Sequence, residues 1–134
     1  MSYAEWQDRF SVGDDELDRD HKILFDLIGQ LHDAYATDKP LPDMERVYAI
    51  LMEYVSGHFD HERRVFEACG YPKAAAHLAA HDRFAAEVHA LFERYRAGES
   101  DKVCIELLGL LKNWWHFHVL EDDADYARFL AARP

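Results

Sequence analysis

The sequence predicts an all-α protein, an up-down-up-down four-helix bundle with an N-terminal arm and a short C-terminal tail. Apolar residues recur at alternating steps of three and four along four segments of roughly 20 residues, which is typical of amphipathic helices. Glycine and proline are scarce, with six and four in 134 residues, and this favours long helices over many short strands. Short connections between the segments place consecutive helices side by side. No linker or internal repeat interrupts the pattern, so residues 1–134 are expected to form one domain.

The chain begins with an arm, residues 1–17, whose apolar anchors are Trp6, Phe10 and Val12. Acidic residues then lead into the first helix, where negative charge is favourable because it faces the helix N-terminus. This helix is predicted from about 18 to 37, and the prolines that follow end it. Its apolar stripe consists of Leu17, His21, Leu24, Ile28, Leu31 and Tyr35.

The second helix is predicted from about 43 to 68 and the third from Pro72 to Gly98. Between them, Gly70 is suited to a helix C-terminus and Pro72 to a first helical turn. The fourth helix carries the stripe Cys104, Leu107, Leu111, Trp114 and His118. Residues 123–134 are expected to form a short helical tail that carries Tyr126, Phe129 and Leu130.

Pairs of metal-binding side chains stand four residues apart on the second and third helices, His58 with Glu62 and His77 with His81. Residues at this spacing lie on one face of a helix, so both members of a pair can reach one point. A single such histidine is more often a satisfied core residue. Two pairs on adjacent helices favour metal binding, because buried His and Glu are costly unless they are paired or bound to a metal.

All four helices place a polar residue on the stripe that should face the core. This inward set contains five histidines and one glutamate, and Asp123 can reach back to it from just beyond the fourth helix. The members are His21, His58, Glu62, His77, His81, His118 and Asp123. The remaining histidines, His32, His61, His89 and His116, fall off the stripes and are expected at the surface.

Seven ligands exceed the four that close a structural zinc site. The zinc-protease pattern HExxH is excluded because Leu78 stands where it needs Glu, and the acidic run after Glu121 lacks the pattern of an EF-hand loop. Imidazole with carboxylate suits iron, and the count suits two ions. If both ions are six-coordinate and share the two carboxylates and a hydroxide, one position is left for a small ligand.

Composition excludes several other functions. The formal net charge of −11 disfavours binding to nucleic acid and to anionic membrane surfaces. No apolar run approaches membrane-spanning length, and no basic segment followed by an apolar run suggests a secretory signal. Cys69 and Cys104 form no CxxC pair. We therefore expect a cytoplasmic protein with reduced thiols and no membrane insertion.

Four motifs in order resemble the hemerythrin family, specifically its single-domain bacterial members. They are Gly13…Asp18-x-x-His21, His58-Phe59-x-x-Glu62, His77-x3-His81 and Trp114-x3-His118-x4-Asp123-x2-Tyr126. Each motif alone is weak, but all four at these spacings are specific, and they cover essentially the whole chain. Two positions depart from the family pattern. Trp115 stands where Leu is usual, and Arg63 follows Glu62 where a second Glu is common.

The resemblance implies a four-helix bundle around a non-haem, hydroxo-bridged di-iron centre that binds O2 reversibly. His77, His81 and His118 would then hold one iron, and His21 and His58 would hold the other. Glu62 and Asp123 would bridge the two ions. The O2 pocket would be lined by Phe59, Trp114, Trp115 and Val119, where Trp115 either gates the ligand or packs the core.

The function that the resemblance implies is binding: O2 carriage, storage or delivery, without enzymatic activity. Its partners would be O2 and, in the delivery role, a protein that consumes it. One alternative is a di-iron oxidase or peroxidase, but the carboxylate-rich Glu-x-x-His motifs of such enzymes are missing from the inward set. Another is an O2 or redox sensor, which would need a separate partner for its output.

Overall fold

The computed structural model describes residues 6–13, 15–37 and 40–132, and in this part of the chain it contains four long helices and no strand. The first helix is α1, Asp15–Ala36, and the third is α4, Ala74–Arg96. The second and fourth helices each contain a π-helical segment between two α-helical parts. The second helix is built from α2, Met44–Glu53, the π-helical segment Tyr54–His58, and α3, Phe59–Cys69. The fourth helix comprises α5, Ser100–Asn113, the π-helical segment Trp114–Asp123, and α6, Ala124–Ala131.

Local sequence accounts for the helix ends. The Asp43 side chain caps α2 by accepting a hydrogen bond from the Glu45 backbone N–H at 3.1 Å. Gly70 ends α3 with a φ of 68°, a left-handed conformation that glycine adopts without strain, and Gly98 follows α4 with a φ of 104°. The second helix lies within one residue of its predicted bounds, and the third begins two residues later than predicted.

The N-terminal arm is tied to the first helix by a buried carboxylate. Asp18 accepts a hydrogen bond from the Val12 backbone N–H at 2.8 Å and another from the Ser11 hydroxyl. The arm also contributes a 3₁₀ turn at Asp8–Phe10, and its predicted anchors Phe10 and Val12 are buried. The predicted start of α1 was three residues too late, because the acidic residues form its first turn and do not precede it.

The predicted C-terminal tail is helical, and its helix continues directly from the fourth helix. Trp114 and Ala124 have right-handed helical dihedrals, so the backbone runs from Ser100 to Ala131 without a break. Tyr35 also differs from expectation, since it lies at the last turn of α1 and is 39% exposed. Within the described residues, no helix is long and apolar enough to cross a membrane.

The core consists of two apolar clusters with a polar layer between them. The larger cluster draws residues from all four helices, and two of its members, Phe59 and Trp114, stack on histidines of the polar layer. The smaller cluster comprises Val12, Leu17, Phe66, Tyr71 and Tyr126. Phe66 and Tyr126 contact His77 from that side, with ring centroids 4.9 and 5.7 Å away. The polar layer is therefore enclosed by apolar side chains above and below.

Candidate metal centre

The seven side chains predicted as metal ligands lie in this polar layer, and each is at most 4% exposed. Their ligand atoms form two groups, and within each group all the atoms lie within 4.8 Å of one another. The first group is Glu62, His77, His81 and His118, and the second is His21, His58, Glu62 and Asp123. Glu62 belongs to both groups. The structure thus brings the predicted residues together from all four helices.

Glu62 connects the two groups through one carboxylate oxygen. Its Oε1 atom lies 3.0 Å from His81 Nε2, 3.3 Å from His77 Nε2 and 3.7 Å from His58 Nε2. A single carboxylate therefore faces imidazoles of both groups.

Asp123 connects the groups through both of its oxygens. Oδ2 lies 3.0 Å from His21 Nε2, in the second group. Oδ1 lies 3.0 Å from His77 Nε2 and 3.3 Å from His118 Nε2, in the first group. A carboxylate with one oxygen toward each group of ligand atoms has the shape of a bridging ligand.

Several polar atoms in the layer are buried without a hydrogen-bond partner among the described residues. They are both ring nitrogens of His21, His58 Nε2, Glu62 Oε2, His81 Nδ1 and both oxygens of Asp123. His21 Nε2 and Asp123 Oδ2 approach to 3.0 Å, yet their geometry is not that of a hydrogen bond. Buried polar atoms in proteins almost always have partners, so this concentration needs an explanation. Ligand atoms that converge on a shared point, with no thiolate among them, fit a metal such as iron.

The π-helical segments carry three of the seven side chains in this layer. Tyr54–His58 ends at His58, and Trp114–Asp123 contains both His118 and Asp123. Hydrogen bonds in a π-helix join residues five apart, so His118 and Asp123 lie about one turn apart on one side of the fourth helix. Asp123 is therefore part of the fourth helix, whereas the sequence placed it just beyond the end. Such segments frequently occur at functional sites.

The carboxylates are ionised in this environment. Burial and the neighbouring Asp123 charge act to raise the pKa of Glu62, but hydrogen bonds with His77 and His81 outweigh them, and its pKa falls to about 2. Burial likewise opposes ionisation of Asp123, but its contacts with His118, His21 and His77 hold its pKa well below the usual range. Both groups are therefore in the form that binds cations.

The histidines respond in opposite directions. Burial lowers the pKa of His81. Burial also acts to lower the pKa of His77, but its contacts with the Asp123 and Glu62 carboxylates prevail and raise it to about 9. His77 therefore carries a proton at neutral pH when the carboxylates are its only partners, and a metal ion would have to displace that proton.

Two further carboxylates hold the outer nitrogens of two histidines. His58 Nδ1 lies 3.0 Å from Asp20 Oδ2, and His118 Nδ1 lies 3.2 Å from Asp122 Oδ2. Such contacts fix the ring orientation and increase the basicity of a ligating imidazole. Sequence reasoning missed both residues. Asp122 could have been found, since it stands four residues after His118, but Asp20 lies on a different helix from its partner and gives no local signal.

The four predicted pocket residues are all buried and belong to the larger apolar cluster, where they contact different parts of the polar layer. Phe59 stacks on His81 and Trp114 stacks on His118, each with a centroid separation of 3.8 Å. These two aromatic rings are 5.7 Å apart and flank the first group. Trp115 lies instead beside His21, at 6.4 Å, and Val119 is buried in the larger apolar cluster.

Tyr54 is a pocket residue that sequence reasoning did not single out. Its ring stacks on His58 with a centroid distance of 4.6 Å, and Trp114 Nε1 donates a hydrogen bond to its hydroxyl oxygen at 3.1 Å. Burial raises the pKa of the Tyr54 phenol well above its usual value. The signal was available, because Tyr54 stands four residues before His58 on the same stripe.

Several crevices on the described surface reach the polar layer. One, of about 340 Å³, lies between α1 and the first π-helical segment and is lined by Asp20, Tyr54, Gly57 and His58. Another, of about 270 Å³, lies beside Trp114 and His118. Two more are lined by His77 and by Phe59 with His81. A small molecule could therefore approach either group without passing along the bundle axis.

The chain matches the family described as Hemerythrin HHE cation binding domain over residues 12–130. It is also similar to relatives named Bacteriohemerythrin. The relative from Pseudomonas aeruginosa (strain LESB58) is 35% identical over 126 residues, which cover 94% of this chain and 80% of the relative. The one from Stenotrophomonas maltophilia (strain R551-3) is 32% identical over 127 residues, covering 95% and 81%. The extent of the family match and of these similarities shows that this chain belongs to the hemerythrin family.

Proposed function

We propose that this protein binds O2 reversibly at a hydroxo-bridged di-iron centre, and that it serves in O2 carriage, storage or delivery and not as an enzyme. The observation that carries the proposal is the carboxylate arrangement, in which Glu62 and Asp123 each face imidazoles of both groups. Two ions that share two bridging carboxylates need such an arrangement. The name Bacteriohemerythrin, given to the similar proteins, supports the same function.

The proposed ligand assignment follows the two groups. His77, His81 and His118 would hold one iron, His21 and His58 would hold the other, and Glu62 and Asp123 would bridge them. The Nε2 atoms of His21 and His58 and the carboxylate oxygens without hydrogen-bond partners support this assignment, since bonds to the ions would satisfy them. When bound, the iron pair supplies two electrons that O2 can take up and return.

The surrounding residues would make that exchange reversible. Phe59 and Trp114 stack on two of the imidazoles and keep water away from the first group. Asp20 and Asp122 orient His58 and His118 from outside, so that the Nε2 atoms point into the layer. The proposed pocket comprises Phe59, Trp114, Trp115 and Val119, with Tyr54 beside it.

Three further proposals concern the domain organisation, the location and the partner of the protein. We propose that residues 1–134 form one domain in which consecutive helices run up, down, up and down, as their short connections favour. We also propose a cytoplasmic location and, in the delivery role, a recipient protein that consumes O2. Cell fractionation and affinity purification test these two points.

An optical experiment tests the proposed function directly. The protein, produced in iron-replete cells and reduced, is measured without air, after exposure to air, and after degassing. We expect a charge-transfer band that forms in air and disappears on degassing, with two iron atoms per chain by metal analysis. A band that decays irreversibly with consumption of O2 would favour the oxidase or peroxidase alternative. One zinc per chain would exclude the di-iron centre.

A further inference from the structure

The hydroxyl group of Tyr54 has an unused proton. Trp114 Nε1 donates to the hydroxyl oxygen, so this oxygen already acts as an acceptor and its own hydrogen must point elsewhere. Among the described residues, no hydrogen bond donated by Tyr54 to a protein acceptor is present, although the side chain is only 7% exposed. A buried donor without an acceptor is costly unless a ligand accepts its hydrogen bond.

The surroundings of this hydroxyl are those of the proposed ligand pocket. The Tyr54 ring lies on His58, a residue of the second group, and its edge meets Phe59 at 5.1 Å. The hydroxyl itself reaches Trp114, which stacks on His118 of the first group. Tyr54 thus contacts the second group directly and the first group through Trp114, on the side of the proposed pocket that Phe59 and Trp114 line.

We propose that Tyr54 selects the ligand: its hydroxyl donates a hydrogen bond to the small molecule bound in the pocket, and so favours ligands that carry a hydrogen-bond acceptor or negative charge, such as azide. Trp114 holds the hydroxyl in place by donating to its oxygen. The pocket then contains one hydrogen-bond donor among its apolar side chains. This inference rests on the proposed function, because it requires a loaded centre that binds small ligands.

A second buried tyrosine provides the matched control. Tyr48 is fully buried, and its hydroxyl has no hydrogen-bond partner among the described residues. Its ring packs against Phe92 and Tyr95, at 4.9 and 5.4 Å, among residues that do not belong to either metal group. Tyr48→Phe therefore removes a buried hydroxyl of the same kind without altering the pocket.

The experiment measures azide affinity of the iron-loaded protein by optical titration. Tyr54→Phe should weaken azide binding about tenfold, as expected for loss of a hydrogen bond to a charged ligand, whereas Tyr48→Phe should leave it unchanged. In metal-free protein labelled with ¹⁵N at the indoles, Tyr54→Phe should also shift the Trp114 N–H resonance, which a Trp114→Phe sample assigns. Equal azide affinity in Tyr54→Phe and the wild type would overturn the proposal, as would an unshifted indole resonance.

A measurement on the unmodified protein covers the case in which Tyr54→Phe does not retain iron. The infrared stretch of bound azide should shift between H2O and D2O, because the donated proton exchanges. An unshifted stretch would overturn the role of Tyr54. A wild-type protein that binds azide but does not release O2 on degassing would instead contradict the proposed function, so the two failures are distinguishable.

Discussion

His118 and Asp123 are five residues apart in the chain, and yet His118 Nε2 lies 3.3 Å from Asp123 Oδ1. In an α-helix with 3.6 residues per turn, side chains at this spacing point to different sides. The π-helical segment Trp114–Asp123 brings both side chains to the same side and into the polar layer. The proposed bridge therefore depends on a local change of helix type.

Asp123→Asn should prevent assembly of the two-iron centre. The amide keeps the shape of the side chain, but it removes the negative charge and leaves one carboxylate, Glu62, to hold both groups. We expect the iron content to fall from two atoms per chain to one or fewer, as measured by metal analysis after purification under identical conditions.

Asp125→Asn is the matched control for this change. Asp125 follows two residues later, but it is only half-buried and pairs with Lys73 and Arg128 at the surface. It should retain two iron atoms. Full iron content in Asp123→Asn, or equal losses in both variants, would show that Asp123 is not a bridging ligand.

His77→Ala should reduce iron content and stability together. His77 approaches both proposed bridges, Glu62 at 3.3 Å and Asp123 at 3.0 Å. Because metal binding stabilises only the folded state, loss of iron should lower the melting temperature of protein purified with its metal.

His89→Ala, on the same helix, provides the comparison because His89 is exposed. Its iron content and melting temperature should match those of the wild type. A loss in His89→Ala as large as that in His77→Ala would contradict the separation of inward and outward histidines.

Periodicity was sufficient to predict the four helices and the inward direction of six of the seven polar residues. His21, His58 and His118 occupy stripe positions that any amphipathic helix would bury, and the structure buries each of them. Helix boundaries were less accurate where a side chain has a tertiary role. Asp18 was expected to favour the helix start by its charge alone, but it is buried and binds the arm.

Contacts between helices and changes of helix type could not be predicted in the same way. The pairing of Asp20 with His58 joins residues 38 positions apart, and no local spacing reports it. A 3.6-residue period assumes α-helix throughout, so it placed Asp123 beyond the fourth helix instead of within a π-helical segment. Tyr54 stands four residues before His58, but its hydrogen bond with Trp114 depends on how two helices pack.

The effect of pH on stability should differ between metal-free and iron-loaded protein. In the metal-free protein, the folded-state pKa of His77 is raised from 6.5 to about 9. Its stabilising contribution is therefore complete below pH 6.5 and is lost as the pH rises through about 9, by at most about 3 kcal/mol. In the iron-loaded protein the ligands must be deprotonated, so binding of the metal strengthens over the same range.

Melting temperatures of both forms between pH 6.5 and 9 test this reasoning. We expect the difference between the iron-loaded and metal-free proteins to widen as the pH increases. If the difference in melting temperature narrows instead, then either His77 is not protonated in the metal-free protein or the metal does not displace its proton.

Trp115→Leu tests whether the departure from the family pattern controls ligand access. The Trp115 ring packs on Phe25 at 4.6 Å and on Phe10 at 5.5 Å, and it lies beside His21. It therefore separates the second group from the N-terminal arm. Leucine should leave the iron content unchanged and cost less than the roughly 3–5 kcal/mol of a full truncation to alanine. Association of O2 and oxidation of the iron should both become faster, because water and ligand gain access beside His21.

Trp6→Leu is the control that distinguishes ligand access from packing. The Trp6 ring packs near Trp115, at a centroid distance of 6.2 Å. Trp6 is not among the residues that contact the polar layer. Both variants should lower the melting temperature, because each removes an aromatic ring from the contact between arm and helix. Only Trp115→Leu should accelerate O2 association in stopped-flow measurements. If the two variants lose stability and both retain the wild-type rate, then Trp115 packs the core and does not gate the ligand. Access would then run elsewhere, for example through the crevices beside His58, His118 or His81.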